Sequence, residues 1–171
     1  GLGIMIVSFS ILHGFQHTVK DKLYSFSAHL NITKFTLSHS LEEIPVSNTD
    51  EFYTHYNKYP LIDHVQEYAL KAGLIRTDEE ILGVVLKGVG TDFDLSRFEP
   101  NMVEGKFIAF DSSSYSKEVV LSRHIANKLR LHVGDRLTIH FFQDPPRVRR
   151  LTVSGIYETN LSEYFDEKVV I

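Results

Sequence analysis

The sequence contains no cysteine and no tryptophan, and only two methionines. Without cysteine there can be no disulfide and no thiolate metal site, so packing alone must hold the fold. Basic residues are not in excess: 18 Lys+Arg stand against 22 Asp+Glu, a formal net charge of −4. No basic stripe is visible, which argues against nucleic acid as a partner. A phosphate-cradling G-x-x-x-x-G-K-[ST] loop is missing as well. The nearest piece, Lys87-Gly88-Val89-Gly90, lacks the second glycine, the lysine and the hydroxyl in place, and reads as a glycine hinge between a strand and an irregular loop. Neither H-E-x-x-H nor G-x-S-x-G occurs, and Ser112-Ser113-Ser114 is most simply a turn. No repeat or low-complexity tract is seen.

What the chain has instead is an apolar start. From Leu2 to Leu12 there is no charge. A bilayer span takes roughly 20 apolar residues, more than this run supplies. A signal peptide is a poor match, because no basic n-region precedes the run and no small-residue cleavage site closes it. The expectation is a chain that begins inside a transmembrane helix, with Leu2, Ile4, Met5, Ile6, Val7, Phe9, Ile11 and Leu12 in the membrane. Residues 1–12 are then the end of that helix, and residues 13–171 an extramembrane domain. Beyond Leu12 the pattern stays helical: Phe15, Val19, Leu23 and Phe26 fall on one face, and His13, His17 and Asp21 on the other. The expected helix leaves the bilayer near His13 and lays its aromatic stripe on the domain. His13, His17 and Asp21 have metal-ligand spacing, but a solvated polar stripe accounts for them better.

The 171 residues suit one domain or two small lobes, and 12 Phe with 8 Tyr suit a β-rich core. The alternating HLNITKF (29–35) predicts a strand. Asn48 or Thr49 is placed to cap a short helix carrying Phe52, Tyr53 and Tyr56, which Tyr59-Pro60 ends. Residues 62–75 and 81–89 predict a strand pair with a charged tip between them. Residues 88–105 read as irregular; Asp92, Asp94 and Glu99 within them have acid–base potential, but turn-capping acids are far commoner. No catalytic residue, cofactor or metal is assigned. Lys168 to Ile171 open one more strand and stop, so a second cut is expected there.

The densest signal is EVVLSRHIANKLRLHVGD (118–135): a buried strand, Ser122 as N-cap, a short helix to Leu129, and a turn at Val133-Gly134-Asp135. Strands at 136–142 and 151–157 follow, joined through Gln143-Asp144-Pro145-Pro146-Arg147 and the basic Arg149-Arg150. Taken with IVSFSILHGFQHTVKDKL, GVVLKGVGTDFD and LTVSGIYETN, this order of motifs resembles the extracytoplasmic core domain of MacB-type ABC transporter permeases. It is most similar to the lipoprotein-releasing, LolC/LolE-like branch.

The resemblance implies an α+β fold: a porter-like βα lobe with an inserted mostly-β lobe, preceded by a long helix continuing from a transmembrane segment. It implies an inner-membrane protein with this domain in the periplasm. A separate ATPase subunit binds and hydrolyses ATP, a second permease completes a homo- or heterodimer, and the role of this domain is mechanical, not enzymatic. Lipoprotein release is the expected task; FtsX-like activation of murein hydrolases and MacB-like efflux of macrolides or peptides are the alternatives. In the lipoprotein-releasing branch a proline-containing hairpin reaches a soluble periplasmic carrier. The corresponding residues here are Asp144, Pro145, Pro146, Arg147, Arg149 and Arg150. The proline pair stiffens a tip, and the arginines suit acidic groups on a partner.

Overall fold

A computed structural model describes residues 1–26, 28–35, 44–47, 51–77, 80–110, 115–143, 145–159 and 166–171. A single long helix, α1 (Leu2–Phe26), leads into the domain. With no proline, and with Leu, Ile, Met and Val dominating its first half, nothing in the sequence breaks it. At 1.5 Å per residue it is about 37 Å long. Two short pieces follow, α2 (Glu51–Thr54) and a 3₁₀ turn at Tyr56–Lys58, and the chain then turns at Pro60. The expected caps of α2, Asn48 and Thr49, lie outside the described residues.

The rest is built on one mixed sheet. Strands β1 (Tyr68–Arg76) and β2 (Ile81–Val89) form an antiparallel hairpin paired from Tyr68↔Val89 to Arg76↔Ile81. Its turn is closed by Thr77, whose N–H donates to the Glu80 carbonyl at 2.9 Å and whose Oγ1 accepts the Glu80 N–H at 3.0 Å. Next come α3 (Leu95–Phe98), a 3₁₀ turn at Glu99–Asn101, and β3 (Met102–Gly105). The corner follows as β4 (Glu118–Ser122), α4 (Arg123–Leu129), β5 (Arg136–Phe141), the long β6 (Arg147–Tyr157), and β7 (Val169–Val170).

The strand order is β3-β6-β5-β1-β2-β7, with β4 also paired to β6. The first half of β6 pairs antiparallel with β5, and its second half lies between β3 and β4. At the far edge β7 runs parallel to β2, and Ile171 exchanges two backbone hydrogen bonds with Val120 of β4, at 2.7 and 3.0 Å. Those bonds curl the sheet back onto itself, so β4 is flanked on both sides. Two cores result. Ile75, Val84, Leu121, Ile125, Leu137, Ile139 and Val153 form one inside the curl; Phe93, Phe98, Val120, Tyr157 and Val169 form the other. A register shift between Val119 and Val120 lies along β4, where Val119 joins the first core and Val120 the second.

Two glycines are required by close approach. A Cβ on Gly105, where φ is +71°, would lie 2.3 Å from the Ser154 carbonyl oxygen. One on Gly155 would lie 2.6 Å from the Lys106 carbonyl oxygen. Strands β3 and β6 can approach there only because both side chains are missing.

The expected α+β class, the leading helix and the Ser122 corner are all present. Ser122 Oγ accepts the Ile125 N–H at 3.1 Å, and Arg130 closes α4 in the left-handed conformation at φ 52°. Several expectations fail. HLNITKF forms no strand: residues 31–35 carry no regular structure, and Leu30, Ile32 and Phe35 are exposed. Alternation yields a strand only where a neighbouring backbone accepts its hydrogen bonds, and no described strand runs beside it. The strand expected from residue 62 starts only at Tyr68, because residues 64–67 bond the 92–94 loop instead: the Glu67 N–H donates to Asp92 Oδ2 at 2.5 Å and the Asp94 N–H to Gln66 Oε1 at 3.1 Å. Residues 88–105, expected to be irregular, contain α3 and β3. The apolar stripe of α1 is not laid on the sheet at Phe15, which is 67% exposed, and among the described side chains of the helix only Val19 and Lys22 are half-buried; the Phe26 side chain lies outside the described residues.

Candidate functional site

Two places on the molecule are candidates for function: the β5–β6 hairpin and α1. The hairpin register pairs Phe141↔Arg147, His140↔Val148, Ile139↔Arg149 and Thr138↔Arg150. Its connection is therefore residues 142–146, shorter than expected, with Pro145 and Pro146 exposed on it. Asp144 lies outside the described residues, and so does Ser112-Ser113-Ser114. Gln143 Oε1 accepts a hydrogen bond from Lys71 Nζ, which ties the base of the connection to β1.

Arg147, Arg149 and Arg150 correct the sequence reading, because they belong to β6 itself and not to the tip. Side chains alternate along a strand, so Arg147 and Arg149 share the face of Phe141 and Ile139, while Arg150 shares the face of Thr138. A run that looks like one basic cluster is divided between two surfaces. Arg149 lies over the Tyr115 ring at 6.0 Å and donates to the Val148 carbonyl at 3.4 Å. Phe142 and Val148 add exposed apolar surface next to the prolines.

Helix α1 offers the opposite chemistry. Leu2, Ile4, Met5, Ile6, Val7, Phe9, Ile11 and Leu12 are between 51% and 76% exposed. The stretch Leu2–Tyr24, 23 residues, is long and apolar enough to cross a membrane. That is longer than the uncharged run alone suggests, because one helix carries the apolar face past His13. On the polar side His17 Nδ1 and Asp21 Oδ2 pair at 2.6 Å. Among the described residues no group of three His, Cys, Asp or Glu side chains is arranged to hold a metal.

The loop acids tie the chain to itself. Asp94 accepts from Ser96 Oγ at 2.5 Å and from Arg97 Nε at 2.9 Å, and the serine bond first, then the arginine charge, holds its carboxyl below the usual range. A hydrogen bond to Glu67, with some burial, pushes the Tyr53 hydroxyl up to about 12. Lys87 lies within β2, 8% exposed, between the rings of Tyr68 and Phe93 at 5.7 and 5.9 Å. Burial lowers its pKa to about 8. A lysine and glycine held in a strand ladder present no cradle of backbone N–H groups to a phosphate.

Sequence reasoning missed the junction of α1 with the sheet. Lys22 Nζ donates to the Thr159 carbonyl at 3.0 Å, and the buried Asp166 accepts from Thr159 in turn. No spacing motif links residues 22, 159 and 166, so nothing short of the folded chain reveals it.

A curled mixed sheet led by a long, exposed helix that is long and apolar enough to cross a membrane defines an α+β domain. The chain belongs to the MacB-like periplasmic core domain family, whose family model matches residues 1–171. It is similar to the lipoprotein-releasing system transmembrane protein LolC of Buchnera aphidicola, 23% identical over 100% of this chain and 42% of that protein. LolC of Xylella fastidiosa is 21% identical over 95% of this chain and 39% of that protein. The chain thus spans about two fifths of the length of these curated relatives. A crystal structure of the extracellular domain of the noncanonic ABC-type transporter YknZ from Gram-positive bacteria overlaps 64% of this chain and 53% of that one. Its TM-score is 0.43, at 15% identity.

Proposed function

We propose that this chain is the periplasmic domain of an ABC transporter permease in a bacterial inner membrane, and that its transporter releases lipoproteins. Residues 1–12 lie in the membrane, and residues 13–171 are the core domain that the helix carries. The domain is mechanical, not catalytic. ATP is hydrolysed by a separate subunit, the permease works as a homo- or heterodimer, and motion arrives through α1. The observation that carries this reading is the continuity of an exposed apolar helix with a sheet of the MacB-like family. The two LolC relatives, similar along nearly the whole chain, favour lipoprotein as the cargo over macrolides or peptides and over FtsX-like signalling.

The β5–β6 connection is the proposed contact for a periplasmic carrier. Pro145 and Pro146 restrict the tip before binding, so less conformational entropy is lost on association. Phe142 supplies an apolar anchor, and Arg147 and Arg150 supply cations on either side of the hairpin. The test is photo-crosslinking from positions 146 and 149 in the full-length protein in cells, with mass spectrometry of the captured species. Capture of a lipoprotein or its soluble carrier is expected. A membrane-fusion adaptor would move the assignment to efflux, and a murein hydrolase to division signalling. If charge reversal at Arg147, Arg149 and Arg150 left release unchanged, the tip would be a turn and nothing more.

A further inference from the structure

The end of α1 touches the sheet through a short chain of hydrogen bonds. Lys22 Nζ donates to the Thr159 carbonyl at 3.0 Å. The same threonine gives its other polar groups to Asp166: its N–H lies 3.2 Å from both carboxylate oxygens, and its Oγ1 donates to Oδ1 at 2.9 Å. The Asp166 carbonyl accepts from Ser122 Oγ, the oxygen that also caps α4. Thr159 and Ser122 are fully buried and Asp166 is 5% exposed. After a helical turn at residues 166–168 the chain enters β7, which is held by the Tyr157 hydroxyl donating to the Val169 carbonyl at 2.8 Å and by the Ile171–Val120 pair.

A buried carboxylate is stable only while donors face it, so the position of Asp166 is tied to that of Thr159. Along the covalent chain these two residues are separated by residues 160–165. Through hydrogen bonds they are in direct contact. We propose that the Thr159–Asp166 clasp couples α1 to β7 and α4. A displacement at the foot of α1 passes from Lys22 to Thr159, from Thr159 to Asp166, and so to the strand that closes the curled sheet. The coupling goes beyond the transport reading and does not depend on it, because it rests on the junction alone.

The test is amide hydrogen exchange read by mass spectrometry on the whole chain in detergent micelles. Lys22→Met keeps the apolar stem and removes the donor. It is expected to speed exchange about tenfold in residues 166–171, which hydrogen bonds link to Lys22 through Thr159. Asp166→Asn is expected to speed exchange at residues 19–24 to a similar extent. Thr159→Ser, which keeps the hydroxyl, is expected to behave like the parent. Amides of the β1–β2 hairpin serve as the internal control and stay slow in all three. The proposal is overturned if Lys22→Met alters only α1, or if Asp166→Asn alters only the segment after Thr159. Should Asp166→Asn fail to fold, the half-exposed Lys22 position and Thr159→Ser decide the matter between them.

Discussion

Helix α1 and the corner β4-α4-β5 are about equally rich in aliphatic residues, yet water meets them in opposite ways. In the corner Leu121, Ile125 and Ile139 are 0% exposed, whereas on α1 no apolar residue from Leu2 to Leu12 is less than half exposed. At roughly 25 cal/mol per Å² of apolar surface, leaving eight such side chains in water forgoes a large stabilisation. The corner recovers that term from its own fold. The helix does not, and it satisfies its backbone internally, which is the one requirement a bilayer makes of a spanning segment. On the proposed reading the chain has two solvents: protein interior for the corner, lipid for the helix.

The comparison can be broken hardest at Ile139. Ile139→Ala removes a fully buried side chain from the first core and is expected to cost about 2–5 kcal/mol in denaturant unfolding of the domain. The same truncation at Ile6 is expected to leave that unfolding transition in place. A charge sharpens the contrast: Ile6→Asp is expected to cost about 2.5–3.5 kcal/mol in membrane insertion if the residue sits near the bilayer centre. Partition of the chain into vesicles would read that loss, while near-UV dichroism of the domain stays unchanged. An equal loss of both would show that α1 is part of the folded core after all.

Lys87 provides the smaller test, of opposite sign. It is a charge inside a region that is otherwise apolar, with its pKa lowered from 10.5 to about 8 by burial. Between those values the unfolded chain binds more protons than the folded one, so stability from this group rises as pH climbs from about 8 toward 10. Below pH 8 the penalty is fully present. Lys87→Met is therefore expected to raise the midpoint of thermal unfolding at pH 7, by an amount equivalent to about 1–2 kcal/mol, and to flatten that pH dependence. A lower midpoint would mean that the contacts with Tyr68 and Phe93 outweigh the cost of burying the ammonium group. Above pH 10 the Tyr157 hydroxyl, held protonated by burial and by the nearby Asp166 charge, works in the other direction.

The sequence by itself determined the local elements whose causes are local. Periodicity and the absence of proline specify α1; the Ser122 cap with its helical spacing specifies α4; the β1–β2 and β5–β6 runs specify hairpins, because both partners lie close along the chain. The same local information placed the apolar residues of α1 and the prolines of the 142–146 connection. What it could not determine depends on residues far apart in sequence. HLNITKF has a strand pattern without a strand, since pairing needs a second backbone that no pattern supplies. Three neighbouring arginines separate onto two faces once β6 begins at Arg147 instead of Leu151, a shift set by the register with β5. Closure of the sheet through Val120 and Ile171, and the clasp joining residues 22, 159 and 166, exist only after the chain has folded. Hydrogen bonds between distant segments carry no periodic trace, so tertiary structure alone decided them.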